Sequence, residues 1–381
     1  MSEIRVNTLG NESNTGGPVL SGITTFSGQQ YFIPPTGTTA ERPSGCPPGS
    51  IRFNTDSAHL EYWNGLVWLE FEASSVELGD QNNSNSSGGT GVRGLFAGGL
   101  TPTLTAKIDY ISVSTLGNAQ DFGLLFAITR LAAGCASSTR GIFAGGSSPS
   151  PTKTNRIHLV TIASTGNATN YGDLTLARNQ LAALSNSTRG VVAGGDAPAG
   201  VSDVMDFITI ASTGNAVDFG NLIAGNEQLT GCSGLVRGLF GGGSAPGLTN
   251  AIQFITISTT GNAQDFGDLT TGRNFAGSCS NSTRGLWGGG RSPGDINIID
   301  FITIATLGNA QDFGDLTSTR ALVSACSSST RGVFSGGLDS STLLNTMDFI
   351  TIATTGNAVD FGDLTATTHS MAGCSNGHGG L

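Results

Sequence analysis

A seven-residue phrase recurs six times in this chain at a nearly constant interval. It reads Arg-Gly-Leu-Phe-Ala-Gly-Gly from Arg93, Arg-Gly-Ile-Phe-Ala-Gly-Gly from Arg140 and Arg-Gly-Val-Val-Ala-Gly-Gly from Arg189. Closely related versions start at Arg237, Arg284 and Arg331, and the steps between the arginines are 47, 49, 48, 47 and 47 residues. A period in that range makes each copy one supersecondary unit that can bury its apolar faces only against its neighbours. Residues shared by all copies then serve packing, and function is to be sought where the copies differ.

Glycine supplies 58 of the 381 residues, about twice the usual share. Charged residues make up 12%, the net charge is −10, and lysine occurs only at Lys107 and Lys153. Such a chain lacks the clustered cations that nucleic acid and anionic membranes require. No apolar run approaches the length of a membrane-spanning helix, so no membrane insertion is expected. The start, Met1 to Arg5, lacks the basic-then-apolar order of a signal peptide. Cys135, Cys232, Cys279 and Cys326 each stand five residues before a repeat arginine, Cys374 is near the same place in a last partial copy, and Leu184 fills it elsewhere. A site open to Cys or Leu reads as small, buried and apolar, not as a disulfide or a metal ligand. No cofactor and no metal are expected.

Four regions separate along the chain. Residues 1–43 read as an extended attachment arm. Residues 44–72 read as a small module of three antiparallel strands, with Asn64-Gly65 as a type I′ hairpin turn. Residues 73–91 read as a flexible polar linker. Residues 92–381 are repetitive. In the copy that begins at Arg284, short strands are expected over 285–289, 298–304, 311–316 and 321–327. Four strands in about 47 residues is the arithmetic of a propeller blade. Three of the strand types occur in six complete sets, and the fourth ends the chain with no set after it. The expected fold is therefore all-β: a C-terminal six-bladed β-propeller, closed when the C-terminal strand completes the first blade.

Candidate sites follow from comparing the copies. His59, His158, His369 and His378 show no metal-type spacing, and no catalytic constellation is found, so an enzyme is not expected. Asp121, Asp218, Asp265, Asp312 and Asp360 recur beside a Phe; an Asp there can accept backbone N–H bonds or pair with a repeat arginine. Arg93, Arg140, Arg189, Arg237, Arg284 and Arg331 are read as structural, tying blade to blade. Two connections vary: the stretch after the double glycine and the one between blades. Alternate connections of an up-and-down blade lie at one end, so the two variable sets share a face, the usual place for binding on a rigid ring. The candidate ligand-binding residues on it are Thr101, Thr103, Ser148, Ser150, Asp196, Ser244, Arg291, Asp295, Asp339 and Ser341.

The double glycine, and the arginines at Arg130, Arg178, Arg273 and Arg320, resemble the kelch repeat. The opening Ser2 to Asn7, the segment 17–24, the segment 47–63 and the repeated Thr-Thr-Gly-Asn-Ala-Gln-Asp-Phe-Gly-Asp-Leu-Thr phrase are similar to cyanophage virion structural and tail-fibre-like proteins. That resemblance implies a bacteriophage particle as the location, with synthesis in the host cytoplasm. It implies that residues 1–72 attach to other virion proteins, that the chain is a homo-oligomer, with a trimer as the guess, and that the propeller recognises a host-surface molecule such as a glycan. The alternative is a capsid or tail decoration protein with a purely structural role.

Overall fold

The computed structural model describes residues 34–57, 59–70, 92–149, 152–244 and 246–381. Most of the expected arm, the linker and the candidate residue Ser150 lie outside them. The chain divides into two units, 1–81 and 82–381, and the described residues are all-β with no α-helix. No helix among them is long and apolar enough to cross a membrane.

The first unit holds the three expected antiparallel strands, Ile51–Asn54, His59–Trp63 and Trp68–Glu70. A fourth, Thr36–Gly37, lies parallel to the first and comes from the segment assigned above to the arm. Glu61, fully buried, explains why that segment docks. Arg42 donates to it from Nη2 at 2.6 Å, and Arg52 Nε lies 3.5 Å away. Burial pushes the Glu61 carboxyl up, but the hydrogen bonds from Arg42 and Asn54 and the charges of Arg42 and Arg52 outweigh it and hold the group below its ordinary value. The hairpin forms at the expected place but is not a two-residue type I′ turn. Trp63 pairs with Trp68, which leaves a four-residue loop in which the Asn64 side chain accepts the N–H of Leu66 and of Val67, each at 2.8 Å.

The second unit contains six four-stranded antiparallel sheets. One consists of Gly277–Ser280, Arg284–Gly288, Ile298–Thr303 and Gln311–Asp315, here called inner, second, third and outer strands. The other five repeat this order. In one of them the inner strand is Ala372–Ser375, hydrogen-bonded to Arg93–Ala97 across nearly the whole unit. Each third strand carries a bulge at the same place, between Ile299 and Asp300 in the sheet above. Inner strands pack side by side, and Ala133–Ala136 meets both Ala182–Ser185 and Ala372–Ser375.

Three devices join each sheet to the next, and they account for the shared residues. The first is steric. A Cβ added to Gly332 would lie 2.5 Å from the Cys279 sulfur of the preceding sheet, and one added to Gly94 would meet Cys326 at 2.3 Å. The glycine after each repeat arginine thus makes room for the Cys or Leu of its neighbour. The second is the arginine. Arg284 Nη1 donates to the Ile352 carbonyl of the following sheet at 2.9 Å while its guanidinium lies 4.7 Å from the ring centre of Phe301 in its own. Arg93, Arg140, Arg189, Arg237 and Arg331 make the corresponding bonds, the last to Ser114 at 2.8 Å. The third is the Gly-Asn-Ala turn. Gly308 N and Ala310 N donate to the carbonyls of Phe266 and Asp268 on the preceding outer strand, and Asn309 Oδ1 accepts the Asp268 N–H at 3.1 Å. That turn covers what would otherwise be an open strand edge.

The aspartates of the Asp-Phe-Gly phrase behave otherwise than expected. Asp121, Asp218, Asp265, Asp312 and Asp360 are exposed on the outer strands, where they neither pair with the repeat arginines nor accept backbone N–H bonds. The buried carboxylates are those after the third-strand bulge. Asp206, Asp300 and Asp348 meet Arg178, Arg273 and Arg320 at 2.7, 2.8 and 2.8 Å, with both partners fully buried. Arg130 is not their equivalent. Thr129 holds that place, one residue earlier, and faces the sheet in which His158 replaces the aspartate.

Candidate functional site

Antiparallel pairing sends both variable connections to one end of the second unit. The stretch after each double glycine also bridges directly to the connection leading into an inner strand. Ser147 pairs with Arg130, Asp196 with Asn179, Ser244 with Glu227, Arg291 with Asn274, Leu338 with Ala321 and Leu100 with His369. The double glycine permits this close approach. Gly289 and Gly290 have φ of +66° and +102°, and a Cβ on either would sit 2.7 Å from a neighbouring backbone carbonyl.

The expected ligand-binding residues lie on these connections, several of them in small hairpins such as Arg291–Ser292 with Gly294–Asp295. Thr101, Thr103, Ser148, Ser244 and Ser341 add uncharged polar groups. The charged ones are turned on one another. Arg291 Nε donates to Asp295 at 2.8 Å, and Asp295 also accepts the Ser340 N–H of the neighbouring hairpin at 2.7 Å. Lys153 lies 2.6 Å from Asp196. Asp339 accepts from Thr319 at 3.3 Å. These pairs stiffen the loops and take formal charge out of play.

Closer to the middle lies a set of residues that the reading of strands alone missed. Leu131, Gln180, Gln228, Phe275, Leu322 and Ser370 occupy the same place in the six copies, four residues before the Cys or Leu, and all have left-handed backbone, with φ between +54° and +61°. Non-glycine residues there cost on the order of 1 kcal/mol each. A closed cycle of hydrogen bonds enforces the conformation. Gln180 N donates to Leu131 O, Gln228 N to Gln180 O, Phe275 N to Gln228 O, Leu322 N to Phe275 O, Ser370 N to Leu322 O and Leu131 N to Ser370 O, at 2.8–3.3 Å. The backbone repeats while the side chains do not: two are leucine, two glutamine, one phenylalanine and one serine. The signal was present in the sequence as one of several variable columns ahead of the small residues of the inner strand, but no glycine or asparagine marked it as a bend.

These six residues ring the mouth of a cavity of about 120 Å³ walled by all six inner strands. Gly134, Ala183, Gly231, Ser278, Ala325 and Gly373 lie deeper, where they also border a second cavity of about 50 Å³. The wall is mostly satisfied: Ser278 Oγ donates to Gly231 O at 2.8 Å and shares a hydrogen bond with Thr230. Ser324, 4% exposed, is the exception, with a hydroxyl that has no partner.

The far side of the second cavity is closed by serines and by the C-terminal residues. Ser185, Ser233, Ser280, Ser327 and Ser375 each donate to the carbonyl of the preceding inner strand, at 2.6–2.8 Å. Ala136 takes the sixth place and has no hydroxyl. His378 packs beside it: its Nε2 lies 2.9 Å from Ala136 O, which also accepts from Ser185, and 3.2 Å from Ser185 Oγ, and Gly380 N donates to its Nδ1 at 3.1 Å. Burial lowers the His378 pKa although the bond to Ala136 opposes the shift, so the ring is neutral with its proton on Nε2. A Cβ on Gly379 or Gly380 would come within 2.2 Å of backbone oxygens, which is why two glycines follow.

Other titratable groups in the unit are structural. His158 is fully buried, stacks on Phe126 with ring centres 3.9 Å apart and has neither nitrogen bonded; burial brings its pKa down to about 4. Burial pushes the thiols of Cys135 and Cys232 up to about 12, which keeps them protonated and unreactive. No group of side chains able to hold a metal ion occurs among the described residues.

No protein-family model and no curated protein matches this chain.

Proposed function

We propose that residues 92–381 form a closed six-bladed β-propeller of kelch-like repeats and that its variable end is a recognition surface for a neutral polar ligand, a host-surface glycan. The chain on this reading is a non-enzymatic, tail-fibre-like structural protein of a bacteriophage particle, held in a homo-oligomer and attached to other virion proteins by residues 1–72. The observation that carries the binding role is the ring at the cavity mouth. Six backbones are held in one costly conformation, yet the side chains there are Leu131, Gln180, Gln228, Phe275, Leu322 and Ser370. Packing alone would favour glycine or asparagine six times over. The pairing of Arg291 with Asp295 and of Lys153 with Asp196 further favours an uncharged ligand. The placement in a phage particle rests on the resemblance of residues 2–63 and of the repeat phrase.

A glycan array probed with the full chain tests the recognition role. Binding to neutral glycans that is lost when the mouth residues are changed is the expected outcome. Absence of binding across the array, with the same end of the molecule buried in an assembled particle, would replace recognition by decoration.

A further inference from the structure

We infer that the cavity behind the ring of left-handed residues is a blind socket for the terminal sugar of a neutral glycan. This rests on the recognition role proposed above and says where and how the ligand is held.

The shape of the cavity excludes a chain that passes through. Its open mouth is ringed by the six left-handed residues. It narrows at Gly134, Ala183, Gly231, Ser278, Ala325 and Gly373, and the space beyond is stoppered by His378. At about 120 Å³ it takes only part of a pyranose, the remainder standing in the open mouth. A ligand must therefore enter end first.

The lining is two-sided. Going around the cycle of hydrogen bonds, Phe275 and Leu322 are adjacent, and Gln180 and Gln228 are adjacent. One arc thus offers an aromatic ring and an aliphatic side chain, and another offers carboxamides. A pyranose has the same division: an apolar face of C–H groups and a rim of hydroxyls. An aromatic side chain with a few placed polar groups is the usual makeup of a small-molecule site. The amides are pre-oriented, since Asn274 Nδ2 donates to Gln228 Oε1 at 2.5 Å and Gln180 Nε2 donates to Asn179 Oδ1 at 3.4 Å.

The unpartnered Ser324 hydroxyl adds nothing to this lining: it is sealed against Gly373 of the neighbouring strand, out of reach of the cavity.

The test is titration of the full chain with methyl glycosides of glucose, galactose, mannose and fucose, followed by calorimetry and by saturation-transfer NMR. At least one glycoside should bind with one-to-one stoichiometry. Phe275→Asn removes the ring but suits the left-handed backbone, so it should fold and weaken binding at least tenfold. Gln180→Asn draws the carboxamide back on a residue that suits the same backbone, and should weaken it several-fold. Asp312→Ala, exposed on an outer strand away from that face, should leave it within twofold. Glycoside binding that survives both Phe275→Asn and Gln180→Asn would overturn the socket and leave recognition elsewhere on the face intact. Binding of arrayed polysaccharide but of no glycoside would overturn it equally. Failure of both arrayed glycans and glycosides would remove the recognition role itself.

Discussion

Alanine at Gly332 would bring a new Cβ within 2.5 Å of the Cys279 sulfur, with Ile350 on the other side. Overpacking of this kind costs about 1–3 kcal/mol. We expect Gly332→Ala to lower the urea midpoint accordingly and Cys279→Ala in the same chain to restore much of the loss; additive losses would mean the two do not touch. The buried ion pairs predict a larger effect. Asp300→Ala leaves Arg273 charged and unpaired in the interior, at a cost of about 3–5 kcal/mol, whereas replacing both by apolar residues should cost far less. His158 gives a pH dependence. Its pKa falls from 6.5 to about 4 on folding, so between those values the unfolded chain binds the extra proton. Stability is full above pH 6.5 and declines as pH falls toward 4, by about 3 kcal/mol from this residue. His158→Met should flatten that part of the profile in urea melts taken between pH 7.5 and 4.5, leaving the contributions of His369 and His378, which burial shifts in the same direction. At this scale the sequence told only part of the story. Recurrence marked the arginines, glycines and cysteines as packing residues. It could not tell which of two recurring aspartates is buried, because a third-strand bulge decides that and leaves no mark of its own.

Among the elements, the Gly-Asn-Ala turn does more than reverse the chain. Asn309→Ala removes the acceptor of the Asp268 N–H and uncovers part of the neighbouring outer strand. A loss of about 0.5–1.5 kcal/mol is expected. Faster amide exchange confined to 264–268 would identify the strand edge as its source, and unchanged exchange there would argue against the capping role. Strand positions in the repeat were legible from composition: the apolar, β-branched run over 298–304 and the glycine-ended run over 285–289 each fall on an observed strand. The inner strand was read too long. Its expected start at 321 ignored the left-handed bend at Leu322, which a leucine does not advertise. In the first unit, the parallel strand Thr36–Gly37 escaped notice because two residues carry no periodicity, and it is fixed from outside, by Phe53 N and Thr55 N donating to Pro35 O and Gly37 O and by Arg42 on the buried Glu61.

For the second unit as a whole, the pairing of Ala372–Ser375 with Arg93–Ala97 joins segments far apart in sequence. Counting strand types was enough to foresee that the late segment would be needed early in the order of sheets. What counting could not foresee is the tail beyond it, where His378 lies against Ala136 O and Ser185 Oγ. Removing 372–381 should leave Arg93–Ala97 with a bare edge and cost the unit its cooperative melt. Light scattering should then report association. A truncated chain that stays monomeric and melts in one step would show that the pairing is dispensable. A synthetic peptide spanning 370–381 should reverse the defect.

The same pairing sets a timetable during synthesis. Arg93–Ala97 leaves the ribosome long before Ala372–Ser375 has been polymerised. At about 5–20 residues per second the gap lasts on the order of 15–60 s. Throughout it the first-made sheet waits with its innermost place vacant, so a nascent chain is at its most sticky while nearly finished, and chaperone demand should peak late in translation.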